Sequence, residues 1–336
     1  MPSTGPASTA FTCGVVLGFA ADLAAGDPRR GHPVAAFGRL AGALERRLWR
    51  DHRGWGAAHA VVCTGAAVLT AAALQRLTRQ HPGLRAALAL GATWSVLGGT
   101  SLVREAEAVG AALRAGDLAG ARRRLPHLCG RDPQALDGPG LARAVVESVA
   151  ENTSDAVVGA LVWGALGGVP GLVGFRAVNT LDAMVGHRSP RYRRFGWAAA
   201  RLDDVAGWPG SRLTAALAVA AGPDPAGAWQ AWRRDGHRHP SPNAGPVEAA
   251  FAGALGVRLG GRLSYGGWVE RRPELNPMAR AVVPADIARA ARLSRTVGAL
   301  ALAATVSVRL LAAHTRGGQH PKNRQHTKNT KKGKRP

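Results

Sequence analysis

Three carboxylates, Glu147, Glu151 and Asp155, recur at every fourth residue of the segment ARAVVESVAENTSDAVVGALVWGALGG. At about 100° per residue they share one helical face, which Ser148 and Asn152 widen, while Val145, Val146, Val149, Ala150 and Val157 take the remaining arc. Like charges stacked this way cost about a few tenths of a kcal/mol per pair on a bare helix, and no Lys or Arg stands between them. The spacing predicts a cation at that face. Carboxylates so gathered suit divalent-metal binding or proton transfer to and from a bound substrate.

A second block, FRAVNTLDAMVGHRSPRYRRFGWAAARLDDVAGW, places Arg176, Asn179 and Asp182 three residues apart. Its continuation puts Trp197, Arg201, Asp204 and Trp208 on one stripe, with Asp203 beside it. In surroundings so rich in alanine and valine, these are either buried ion pairs and caps that hold helices together or groups that meet a ligand. Two further candidates, Asp27 and His32, occupy the turn-rich GDPRRGHP near the amino terminus, where a capping Asp and a solvent-facing His are the alternative. Farther on, Arg233, Arg234, His237, Arg238 and His239 precede PSPNAGP. A helix is expected there over Val247 to Leu255, its free amides offering a phosphate site with His239 and Asn243. Zinc is not expected at His237 and His239, which lack further ligands at the usual spacing.

The chain holds no GxxxxGK[ST] loop, no GxGxxG, no HExxH and no GxSxG. Clustered carboxylates, arginines and a helix start fit phosphate-bearing substrates held through Mg²⁺, with carboxylates on the metal and arginines on phosphate oxygens.

These groups must be positioned by mostly apolar helices. The 336 residues are 46% hydrophobic and carry 44 Lys and Arg against 21 Asp and Glu, a net charge of +23 that favours anionic partners. Only Cys13, Cys63 and Cys129 occur, with no metal or redox spacing, which excludes a disulfide scaffold or zinc module. Residues 1–10 lack the basic start of a secretory signal, so Phe11 to Ala25 is expected to be retained as a short span or a buried helix. Ala57 to Leu74 and Ala86 to Val103 read as a transmembrane hairpin and Thr296 to Ala313 as a last span despite Arg309. Ala156 to Phe175 is apolar but interrupted by Gly167, Gly168, Pro170 and Gly171, which predicts two half-helices entering and leaving on one side. That arrangement would let the two acidic blocks share one site. The fold class is therefore all-α: a polytopic integral membrane helical protein whose site is formed by polar helix-loop segments. Residues 1–314 are read as one membrane domain and 315–336 as a basic, low-complexity tail.

VESVAENTSDAVVGALVWGALGG, FRAVNTLDAMVGHRSPRYRRFGWAAARLDD, HPSPNAGPVEAAFAGALGVRLGG and the amino-terminal GDPRRGHPVAAFGRL together resemble the signature blocks of the adenosylcobinamide-phosphate synthase (CobD/CbiB) family, in the right order from about Ala21 to Asn276. The resemblance implies an enzyme of the cell inner membrane that uses ATP and Mg²⁺ to join adenosylcobyric acid to an amino alcohol phosphate such as (R)-1-amino-2-propanol phosphate. It implies that Glu147, Glu151, Asp155 and Asp182 act as metal ligands or base and that Asp203 and Asp204 add further ligands. Asp27, His32, Asn152, Arg176, Asn179, Arg201, His239 and Asn243 would then contact phosphate or corrin amides. The corrin requires an open groove, with the broken helix and the segment Leu259 to Gly267 as walls. Tyr265 and Trp268 would lie against the macrocycle or in an interfacial aromatic belt. The partners are the corrinoid, the amino alcohol phosphate and the lipid bilayer, with nucleic acid not expected. A transporter and a basic membrane-anchored binding protein are the competing readings; a transporter would often show an internal repeat, and positive charge explains neither acidic block.

Overall fold

The computed structural model describes residues 6–28, 31–187, 189–265 and 268–318. Most of the tail expected at 315–336 lies outside them. The amino-terminal half comprises α1 (Pro6–Ala25), α2 (Pro33–Leu48), α3 (Arg53–Leu77), α4 (Pro82–Val96), α5 (Gly99–Arg114), α6 (Leu118–Arg124) and α7 (Gly138–Thr153). The rest comprises α8 (Gly159–Leu181), α9 (Trp197–Ala221), α10 (Pro225–Asp235), α11 (Ala244–Leu255), the strands β1 (Leu259–Tyr265) and β2 (Trp268–Leu275), and α12 (Pro284–Gly318). Among the described residues the protein is all-α apart from that hairpin. Four segments are long and apolar enough to cross a membrane: Arg53–Leu77, Pro82–Arg114, Gly138–Gly186 and Pro284–Ala312.

The third of these does not run straight through. Gly168 adopts φ 67° and ψ −150° inside α8 and turns the chain back on itself. Glycine is the residue that enters this region without a Cβ penalty. Pro170 then falls in the first turn of the returning arm, where its missing N–H breaks no hydrogen bond. The two arms pack against each other through small residues. Gly159 lies on the Phe175 ring, and Gly171 lies against the Trp163 carbonyl. Residues sixteen apart in a straight helix would be roughly 24 Å apart. The expected pair of half-helices is thus present, and both ends of the hairpin return to one side.

The second apolar run also departs from a single span. Leu97 is extended and Gly98 caps a new helix, so α4 and α5 meet at a break. Asp22 explains this break: its Oδ2 accepts hydrogen bonds from Thr100 N at 3.2 Å and Thr100 Oγ1 at 3.1 Å, capping α5 from another helix. Helix α1 reaches that point by packing along α4, where Gly14 and Gly18 admit Ala89 and Thr93. The segment Leu259 to Gly267, expected as a wall, supplies the first strand of an antiparallel hairpin that pairs from Leu259↔Leu275 to Tyr265↔Trp268, with residues 266–267 outside the described set.

The reversal supplies a direct test. A Cβ built at Gly164 would stand 3.5 Å from Leu172 Cβ, within the disulfide range of about 3.5–4.5 Å. In a background lacking Cys13, Cys63 and Cys129, Gly164→Cys with Leu172→Cys is expected to cross-link on oxidation. A continuous helix would hold these positions roughly 12 Å apart and give no bridge.

Candidate functional site

Both acidic blocks end in the same local feature. Asp155 lies in a π-helical turn, Ser154–Val158, and Asp182 opens another, Asp182–Gly186. A π-turn inserts a residue into the helical ladder and re-aims the side chains around it, a device frequent at functional sites. Because α8 doubles back, these turns face each other at the base of the hairpin. Asp155 lies within electrostatic reach of Asp203, Glu151, Asp182 and Arg176. The Arg176 guanidinium in turn senses Asp27 and Asp155. Arg176 Nη1 donates to Asn179 Oδ1 at 3.4 Å, and Asn179 Nδ2 donates to Asp203 Oδ1 at 3.4 Å. One Asp27 oxygen is buried without a hydrogen-bond partner. Five chain segments therefore bring Asp27, Asp155, Arg176, Asn179, Asp182 and Asp203 together.

In this cluster four carboxylates, Asp27, Asp155, Asp182 and Asp203, face the guanidinium of Arg176. Burial first, then the charge of Asp182, pushes the Asp203 carboxyl up to about 7. Asp204 belongs to the rim, where it pairs with Arg201 at 3.1 Å and Arg201 is largely exposed.

Glu147 takes no part in this cluster. It is buried, ion-paired with Arg131, within 3.9 Å of Arg143 Nε, and its Oε1 accepts the Gly260 N–H at 2.6 Å. Glu147 is compensated instead by Arg131 from the preceding loop and by Arg143, one turn earlier on the same stripe, and the bonds of Glu147 to Gly260 and of Arg143 to Arg262 pin the β-hairpin to α7. Glu151 stands between the two regions. It is exposed, and the charges of Arg272, Arg131 and Glu147 act on it from one side and those of Asp155 and Asp182 from the other.

Several other expected ligand groups are engaged within the protein. His32 caps α2, its Nδ1 accepting the Val34 N–H at 3.2 Å. Asn152 donates back to Ser148 O at 2.9 Å on its own helix. Asn243 donates to Asp204 O at 2.9 Å and accepts from Arg212 at 3.0 Å, tying α11 to α9. The expected phosphate seat at the start of α11 is closed, because Ser241 accepts from Ala244 N and Gly245 N and the first turn is buried. Its basic approach is also neutralised: Asp235 holds Arg234 at 2.8 Å and Arg238 at 3.4 Å. His239 is buried, and burial followed by the Arg272 charge holds it down to about 4. It is uncharged at neutral pH and is no electrostatic partner for phosphate.

Sequence reasoning missed Arg131, Arg272, Asp22 and Glu248. Glu248 is 2% exposed, lies 3.8 Å from His239 Nε2, and is pushed well above the carboxylate range by burial and then by Glu147 and Glu151. It is the lone charge of α11, a signal legible in the sequence. The arginines gave no comparable signal.

Mg²⁺ can be weighed against these residues. Among the described residues no three His, Cys, Asp or Glu side chains converge closely enough to enclose an ion by themselves. Mg²⁺ commonly takes one or two carboxylates and completes its shell with water and substrate phosphate. Asp155 and Asp182, with Glu151 open beside them, fit that pattern.

The fold and site define a polytopic helical membrane protein whose re-entrant hairpin carries a carboxylate-rich polar centre at its base. The chain belongs to the CobD/Cbib protein family, whose model matches residues 15–294. It is 55% identical over 291 residues to cobalamin biosynthesis protein CobD of Mycobacterium tuberculosis, covering 85% of this chain and 92% of that one. The proteins of the same name from Rhodobacter capsulatus and Stutzerimonas stutzeri are 43% identical over 295 residues and 45% over 264, covering 85% and 77% of this chain and 93% and 86% of theirs. No solved structure matches the chain.

Two outcomes follow for these carboxylates. Glu147→Gln removes one partner of a buried ion pair, a change that costs about 3–5 kcal/mol, so the variant should melt well below wild type in detergent. For Asp203 the folded protein holds the proton more tightly than the unfolded chain. Its contribution to stability therefore falls as pH rises from about 4 to about 7 and is flat above. Asp203→Asn removes that fall, and melting curves across this range should be flatter for the variant than for wild type.

Proposed function

We propose that the protein is an inner-membrane enzyme of cobalamin biosynthesis, acting on a corrinoid. Its reaction is the ATP-dependent joining of adenosylcobyric acid to an amino alcohol phosphate such as (R)-1-amino-2-propanol phosphate, giving adenosylcobinamide phosphate. The observation that carries this reading is the convergence of Asp155, Asp182 and Asp203 beside Arg176 in a chain of this family. A carboxylate is a poor acyl donor, and ATP supplies the activation of the propionate. Asp155 and Asp182, with Glu151 open beside them, would hold Mg²⁺ together with substrate phosphate, and the ion would supply screening of phosphate charge.

The chain's own groups then have separable tasks. Arg176, fixed by Asn179, binds a phosphate oxygen and leaves the metal-facing carboxylates uncovered. Asp203 takes the proton that the substrate ammonium must lose before its nitrogen can attack the activated carbonyl carbon, since a base poised near neutral pH suits that transfer. As the carbon–nitrogen bond forms, the activating phosphate leaves. Asp27 places a second charge against Arg176 and holds the amino-terminal turn at the site. The open position of Glu151 leaves room for a substrate as large as a corrin.

The deciding assay incubates the purified protein in detergent with adenosylcobyric acid, ATP, Mg²⁺ and candidate amino alcohol phosphates and follows the products by mass spectrometry. Formation of the amide supports the reading, and its absence with every amine tried rejects it. Glu151→Gln, which keeps size and helix propensity, should retain normal stability, lose at least about tenfold in rate, equivalent to roughly 1.4 kcal/mol, and need more Mg²⁺. A wild-type rate and Mg²⁺ dependence would remove Glu151 from the site.

A further inference from the structure

An arginine inside an apolar crossing segment needs a reason, because hydrocarbon gives a charge no solvation. Arg309 lies near the end of Pro284–Ala312. Its Nη1 donates to Ala165 O at 2.8 Å and to Gly164 O at 3.4 Å, and its guanidinium lies 4.0 Å from the centroid of the Phe11 ring. Those carbonyls belong to the last turn of the first arm of α8, which the reversal at Gly168 ends, and the last turn of a helix is where carbonyls lack intrahelical donors. The cation also faces the negative end of that arm's dipole. The opposite defect is met by another helix: Gln75 Oε1, near the end of α3, accepts the Val169 N–H at 3.0 Å. Carbonyls orphaned before the break are thus taken by α12, and the amide orphaned after it by α3.

We propose that Arg309 and Gln75 are positioning residues for the reaction, holding the Gly168 reversal from two separate helices and thereby fixing where Asp155 and Asp182 stand at its base. This inference rests on the ligation reading above. Neither side chain touches substrate. Each acts through the arms of α8, the first of which continues the π-turn of Asp155 while the second ends at that of Asp182. A loosened tip would let the arms splay, and the carboxylates they carry would separate.

The test uses the full-length protein in detergent with Arg309→Lys, Arg309→Leu and Gln75→Leu, each measured for turnover per folded molecule, for KM and for Mg²⁺ dependence. Arg309→Leu is expected to lower turnover at least about tenfold while the KM for the amino alcohol phosphate changes by less than about twofold. Arg309→Lys, which still donates to both carbonyls, should recover most of the rate. Combining Arg309→Leu with the oxidised Gly164→Cys, Leu172→Cys bridge should restore turnover, and reduction should abolish it again. If Arg309→Leu does not fold, Gln75→Leu carries the same expectation, the bridge restoring its turnover on oxidation. Wild-type turnover per folded molecule in the leucine variants, or a loss that the bridge does not repair, would overturn the proposal. The rate of cysteine-pair oxidation is read without substrate and should fall in the leucine variants. A failure of the ligation reading, in which wild type makes no amide, is thereby told apart from a failure of the positioning, in which oxidation is unchanged.

Discussion

A chain that turns back inside a membrane must satisfy every backbone group it exposes there, because hydrocarbon offers no replacement for a lost helical hydrogen bond. The reversal at Gly168 creates that demand, and the rest of the structure is arranged around meeting it. Gln75 takes the stranded amide and Arg309 the stranded carbonyls. Glycine at 168 permits the backbone conformation, and glycines at 159, 164 and 171 let the arms close. The helices that would otherwise need only to span, α3 and α12, are thereby tied to the middle of the chain.

Meeting this constraint has an electrostatic result. Folding the hairpin brings the two π-turns together, so carboxylates far apart in sequence act on each other within one partly enclosed region. Alpha helix α9 closes it with Asp203, and the turn after α1 adds Asp27 against Arg176. Burial first, and repulsion by Asp182 second, push the Asp203 carboxyl far above its ordinary range. The neighbouring group solves its charge differently. Glu147 is matched by Arg131 and Arg143 and Asp235 by Arg234 and Arg238, while burial, then Glu147 and Glu151, push the Glu248 carboxyl well above its ordinary range. Neutralised clusters bind the β-hairpin and α11 to the membrane helices.

The sequence alone determined the helical class, the apolar runs, the break at Gly167 to Gly171 and the acidic faces, because these depend on local periodicity and on the conformational demands of glycine and proline. It also carried the family through long motifs. It did not determine which carboxylates belong together. Glu147, Glu151 and Asp155 share a helical stripe, yet Glu147 is claimed by Arg131 from a preceding loop, and no spacing rule relates residues 131 and 147. His32, Asn152 and Asn243 likewise look free in a string of letters and prove to be tied to backbone or neighbouring groups, since a hydrogen bond to a main chain leaves no trace in composition. The role of Arg309 was invisible for the same reason: its partners are carbonyls, which every residue has, and only the tertiary turn at Gly168 makes two of them available.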